Sequence, residues 1–146
     1  MPRYFTRDEA HRLLPQAERA VREAVDLKDA YQRADAELRQ YTNRIMMLGG
    51  VIPNHDEILG LRAGRDEHAR RLKHVIDDIH ELGCLLKDLD MGLLDFPTLY
   101  HGEEVYLCWK LGEEQIEFWH GVNEGYGGRK PIDQEFLANH GGGGEA

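Results

Sequence analysis

Between residues 10 and 48 the apolar positions advance in alternating steps of three and four: Ala10, Leu13, Ala17, Ala20, Ala24, Leu27, Tyr31, Ala34, Leu38, Tyr41, Ile45 and Leu48. A 3.5-residue period held over more than five heptads predicts one long helix with a coiled-coil-like seam. Thr6-Arg7-Asp8-Glu9 supplies a capping box for its start, because the Thr6 hydroxyl can take the Glu9 amide while the Glu9 carboxylate returns to the Thr6 amide. Pro15 falls early, and since the phase crosses it unchanged we read a kink in a continuing helix. Gly49-Gly50 and then Pro53 supply a stop and a turn. Asn54 to Glu57 offer a second cap. Ile58, Leu61, Leu72, Val75, Ile79 and Leu82 resume the three-four steps, with Arg65 and His68 standing at seam positions. Two helices joined by so short a loop are expected to pack antiparallel.

After Gly83 the period falls to two. Leu85-Lys87-Leu89 alternates with Leu86-Asp88-Asp90, Met91-Gly92 turns, and Leu93 to Phe96 runs back until Pro97, where pairing is expected to end. His101-Gly102 makes another turn. Glu104 to Lys110 is the most strand-like segment, Leu111-Gly112 turns again, and Gln115 to His120 reads as a further strand. The expected fold is α+β: a long antiparallel helical hairpin over 1–83, then a small three- or four-stranded antiparallel β-meander over 84–137. Residues 138–146 are expected to be a mobile tail, because the consecutive glycines near the end lose too much backbone entropy to order alone.

Composition changes at the same place. The chain has 146 residues, the size of one domain, and a formal net charge of -9. From residue 84 onward twelve acidic residues face only four basic ones, and eight of the twelve aromatics lie between 91 and 137. A field of that sign repels phosphate backbones and anionic lipid, so nucleic acid and membrane surfaces are not expected partners. The start lacks a secretory pattern and no apolar run approaches the roughly 20 residues of a membrane span, so a cytoplasmic protein is expected. Two cysteines, Cys84 and Cys108, make neither a disulfide framework nor a four-thiolate zinc site, and both are expected to be reduced and buried.

Two functional readings follow. Ala17, Ala20, Ala24, Leu27, Tyr31, Ala34 and Leu38, with Val21, Val25 and Ala30 beside them, form a stripe wider than one partner helix needs. A second copy of the chain is therefore expected to cover the rest, giving a homodimer. On this reading the protein is a non-enzymatic interaction module whose acidic sheet meets a protein partner. The alternative is a divalent-metal-binding protein or small metal-dependent enzyme. Asp88, Asp90, Asp95, Glu113 and His120 would supply hard oxygen ligands and one imidazole, although no motif fixes the five about one point. Asp90 and Asp95 also suit turns, where aspartate bonds its own backbone.

Other chemistry is weaker. His74 with Asp78, and Asp77 with Glu81, share a helix face as ordinary surface pairs. The glycine-rich stretch from Gly121 to Pro131 exposes amides, and Arg129 offers a forked donor either to an anion or to an acidic neighbour. It lacks the GxxxxGK[ST] spacing of a nucleotide loop. Cys108 could act as a nucleophile with His120 as base, but acidic surroundings oppose a thiolate.

The stretch 87–132, with Asp95-Phe96-Pro97, Leu107-Cys108-Trp109, Gly112-Glu113, Trp119-His120 and Gly128-Arg129, resembles a bacterial family known as domain of unknown function 2203. Residues 5–15, FTRDEAHRLLP, are similar to its usual start. The resemblance implies a shared fold and a bacterial origin, and it assigns no catalytic residue.

Overall fold

In the computed structural model, which describes residues 3–49 and 54–141, helix α1 runs over Arg7–Leu48 and α2 over His55–Glu81. The turn expected at Gly50 to Pro53 and the tail from 142 onward lie outside the described residues. The capping box forms: the Glu9 amide donates to Thr6 Oγ1 (3.1 Å) and the Thr6 amide to Glu9 Oε1 (2.8 Å). Asn54 Oδ1 accepts the Glu57 amide at 3.2 Å and caps α2. Helix α1 continues through Pro15. No helix among the described residues is long and apolar enough to cross a membrane.

The chain divides into two compact units, Met1–Arg22 with Ile76–Ala146, and Glu23–Val75. The boundary cuts both helices and does not fall at Gly83, where composition changes. The reason is local: the first turns of α1 are hydrogen-bonded to the sheet. In the unit Glu23–Val75, Ala24, Leu27, Leu38 and Val75 are buried, while Tyr31 and Ala34 are half-buried. Arg65 reaches Asp35 across the helix pair at 3.3 Å. His68, at its seam position, keeps Nδ1 buried without a hydrogen-bond partner among the described residues.

The other unit carries the sheet. Its strands are β1 (Leu85–Asp88), β2 (Leu93–Tyr100), β3 (Glu103–Lys110), β4 (Phe118–Gly121), β5 (Lys130–Pro131) and, after the short helix α3 (Gln134–Asn139), β6 (His140–Gly141). Strands β1 to β5 lie side by side in chain order, all antiparallel, and β6 pairs with β2. This is the meander of an α+β fold, but it has six strands where three or four were expected. Two residues each, β5 and β6 are too short to leave an alternation in the sequence. His140 and Gly141 are consequently held against Tyr100 and Leu99, although they were expected in the mobile tail.

Two further departures have physical causes. Strand β2 does not end at Pro97 but runs on to Tyr100. A residue's N and O point to the same side of a strand, and Pro97 turns that side away from β3 into the gap between β1 and β6. No ladder bond is lost there, and the Pro97 carbonyl accepts the Phe5 amide at 2.8 Å. Strand β4 starts at Phe118, three residues later than expected, because α1 takes both backbone groups of Ile116. The Ile116 amide donates to His11 Nε2 (2.9 Å) and its carbonyl accepts from Arg7 Nε (2.7 Å).

Alternation gives the sheet two faces. Leu94, Phe96 and Thr98 of β2 and Val105, Leu107 and Trp109 of β3 form the core face, with the Phe5 ring edge-on to Phe96 at 5.5 Å. In the same unit α1 buries Ala10, Leu14, Ala17 and Val21, so Leu14 and Val21 take the inner places while Leu13 and Ala20 of the expected seam are half-buried. The opposite face of the sheet carries Leu93, Asp95, Tyr106, Cys108 and His120.

The register of β2 on β3 is set by a two-residue loop. His101 (φ 52°) and Gly102 (φ 81°) both adopt left-handed backbone, as a type I′ turn requires, and Tyr100 pairs with Glu103. His101 is the one non-glycine residue with positive φ among the described residues. Replacing it with β-branched valine, His101→Val, is expected to lower stability by about 1–2 kcal/mol in urea unfolding, whereas His101→Gly removes the strain and is expected to cost far less. Equal losses for the two variants would show that the turn does not depend on this conformation.

Candidate metal-binding site

Three strands bring three unlike side chains together. In the β2–β3 register Asp95 is opposite Cys108, and in the β3–β4 register His120 is opposite Tyr106, two residues from Cys108 on the same face. Asp95, Cys108 and His120 are all buried, and one ligand atom from each lies within 4.8 Å of the others. Lys87 joins them from β1 through an irregularity: the pairing passes from Leu86 to Asp88 and skips Lys87 as a bulge. Its ammonium stands 5.1 Å from the centre of the Tyr106 ring.

The hydrogen bonds fix the imidazole. His120 Nδ1 lies 2.7 Å from the Gly121 carbonyl, which only accepts, so Nδ1 carries a proton and donates it. Nε2 then faces Asp95, 3.1 Å from each carboxylate oxygen. The Cys108 thiol lies beside the same carboxylate. Burial pushes the Asp95 carboxyl above the usual carboxylate range, against the opposing pull of His120, Cys108 and Lys87. Burial, reinforced by the charge of Asp95, pushes the Cys108 thiol up to about 12.

A cavity of ≈ 130 Å³ opens over this cluster, lined by Lys87, Leu93, Asp95, Tyr106, Cys108 and His120, with Val122, Gly125 and Tyr126 contributed by the glycine-rich loop. Arg129 anchors that loop. Its Nη2 lies 2.9 and 2.7 Å from the two oxygens of Glu113, and the guanidinium stacks 4.1 Å from the Phe118 ring and 4.8 Å from Tyr126. The Arg129 side chain is 9% exposed, and its Nε is buried without a hydrogen-bond partner among the described residues. Glu124 ties the loop at its start by accepting the Gly121 amide at 2.6 Å.

The pattern that defines the uncharacterised conserved protein family DUF2203 matches residues 3–132. The chain belongs to this family. No curated protein and no solved structure matches it. The matched stretch holds both long helices, strands β1 to β5 and the buried residues Asp95, Cys108 and His120.

Of the five acidic and histidine residues read from the sequence of this DUF2203 protein as a metal set, the structure brings together Asp95 and His120. Asp88 caps the following turn by accepting the Met91 amide at 3.0 Å, and Asp90 is exposed in that turn. Glu113 accepts the Lys110 amide at 2.7 Å and pairs with Arg129, so Arg129 has an acidic neighbour as its carboxylate partner. Cys108 takes the third place. As a nucleophile it would need a free imidazole nitrogen, but Nδ1 is taken by Gly121 and Nε2 by Asp95. Lys87 and Tyr106 went unread. The turn at His101-Gly102 contained the missing signal, since a two-residue loop pairs Tyr100 with Glu103 and hence Asp95 with Cys108.

Both thiols, Cys84 and Cys108, are held near 12 by burial, against 9.0 for the free group. Their neutral state contributes stability that is fully present below pH 9 and is lost as pH rises towards 12, because only the unfolded thiol ionises in that window. In protein treated with chelator, unfolding free energy is expected to fall above pH 9 by about 1.4 kcal/mol per pH unit for each buried thiol. Cys84→Ala should remove one such contribution. Urea titrations at pH 8 and pH 10 check this, and an identical pH slope in the variant would contradict it.

Proposed function

We propose that this protein binds one divalent metal ion, zinc by preference, through Asp95, Cys108 and His120 on the outer face of its sheet. The orientation of His120 carries the reading. A ligating histidine typically donates its second ring N–H to a carbonyl or carboxylate, and the bond from Nδ1 to Gly121 O supports that role by presenting Nε2 to the Asp95 carboxylate and the Cys108 thiol. One sulfur, one nitrogen and one oxygen ligand are a zinc set. Zinc bonds of about 2.0–2.3 Å put tetrahedral ligand atoms about 3.3–3.8 Å apart, so three atoms already within 4.8 Å need only a small contraction. Deprotonated Cys108 and Asp95 would neutralise a divalent ion, leaving no net charge in a buried site.

Zinc titration by calorimetry, after chelator treatment, is expected to give one ion per chain. Cys108→Ser and His120→Ala should each weaken binding by more than the roughly 10–100-fold that loss of an outer-sphere contact costs, with circular dichroism confirming that the variants fold. Absence of zinc binding by the wild-type protein, or unchanged affinity in both variants, would overturn the assignment.

A second reading, a self-associating interaction module, is favoured by a different unit. Met46, Met47, Leu48 and Leu59 in Glu23–Val75 are 59–87% exposed, and flexible methionines serve adaptable interfaces. On this reading sedimentation equilibrium returns twice the 16.8 kDa chain mass, and Met46→Lys with Met47→Lys returns the single mass. A monomer at micromolar concentration for the wild-type chain would end it.

A further inference from the structure

Resting on the metal assignment above, we infer that the open coordination position takes a short-chain monocarboxylate such as acetate or propionate, with Lys87 as the second contact for its carboxylate. Three protein ligands leave a tetrahedral ion one vacant position. All three line the same cavity, so that vacancy opens into it. Charge then selects the occupant. The ion with ionised Asp95, ionised Cys108 and neutral His120 is neutral, and the other charged side chain in the lining is Lys87. The filled site therefore carries one positive charge, which a monoanion balances and a phosphate dianion overshoots. Size selects further: a cavity of ≈ 130 Å³ is close to the roughly 150 Å³ that holds one benzene molecule, a scale that suits a ligand of a few heavy atoms better than a sugar phosphate or nucleotide. The remaining walls are Leu93, Val122 and the rings of Tyr106 and Tyr126, which suit a short alkyl end better than a fully hydrated inorganic anion.

Cobalt in place of zinc gives the test a readout, since its visible spectrum reports a change of fourth ligand. The cobalt-loaded full chain is titrated with propionate, with the neutral isostere propionamide, and with phosphate. A saturating spectral change at millimolar propionate is expected, with little response to the other two. Lys87→Gln is expected to bind cobalt as the wild type does but to weaken propionate by about tenfold, equivalent to about 1.4 kcal/mol. A cobalt spectrum indifferent to propionate, an equal response to propionamide or phosphate, or unchanged propionate affinity in Lys87→Gln overturns the carboxylate inference and leaves the metal assignment standing. Failure to bind cobalt or zinc at all overturns both.

Discussion

Strand register decides whether this protein has a site at all. Side chains alternate between the two faces of a strand, so sliding β2 by one residue against β3 would send Asp95 to the core face and leave Cys108 opposite a hydrophobic neighbour. The two-residue turn at His101-Gly102 forbids that slip, since both residues sit in left-handed backbone and any longer or shorter loop would change the pairing. The second register, β3 on β4, has no tight turn to set it. It depends on helix α1, where Arg7 and His11 hold the carbonyl and amide of Ile116 and thereby fix where β4 begins. His11 must accept at Nε2 to do so, and burial holds its pKa below the ordinary histidine value, which favours the neutral ring the bond needs. His120 is thus positioned from a helix more than one hundred residues earlier in the chain.

Stability alone does not account for what lies on that face. Burying an aspartate against a histidine costs several kcal/mol per charge in desolvation, and exchanging such a pair for well-packed apolar residues is often neutral or stabilising by about 1–4 kcal/mol. Antiparallel sheets of this kind commonly leave their second face wet, where a carboxylate costs nothing. Here the glycine-rich loop covers it. Arg129, clamped on Glu113 and stacked between Phe118 and Tyr126, holds that cover down, and the covered face keeps an opening at the one place where three ligand-type atoms converge. Glu113 therefore serves the site from outside, through the loop.

The helices were legible because their signals are local: the Thr6–Glu9 box forms in full, Asn54 takes the Glu57 amide, and a 3.5-residue period cannot be imitated by a sheet. The choice between Leu13 and Leu14, or between Ala20 and Val21, for the inner place was not, because steps of three and four fit the period equally and only the packing around the helix selects which position faces inward. Strand β2 through Pro97, the late start of β4 and the two-residue strands all depend on partners far away in sequence. Within the site, Asp95 and His120 were legible by residue type, and so were Asp88 and Glu113, whose carboxylates instead bond local amides or Arg129, and Asp90, which is exposed in a turn. Composition cannot separate a carboxylate that caps a turn from one that faces a cavity. Cys108 was noticed for nucleophilic chemistry, because without the register nothing linked its thiol to Asp95 rather than to the imidazole.

The ion proposed above would enter this cluster without changing its net charge. The Cys108 thiol is protonated, and with Nδ1 of His120 donating to Gly121 the 3.1 Å contact between Nε2 and Asp95 requires one proton between them, so thiol, carboxylate and imidazole together carry no net charge. Exchanging those two protons for one divalent cation leaves the total unchanged. A low-dielectric pocket resists changes of net charge far more than exchanges of equal charge, so filling requires no compensating ion from outside and no unpairing elsewhere. The proposed ion would leave the Nδ1 bond of His120 to Gly121 intact, and it would be met by three side chains that the strand pairing already brings together. Lys87 is the exception to this balance. Placed by the bulge in β1, it stands outside that exchange, and the cavity beside it is the place where a ligand of opposite sign would meet its charge.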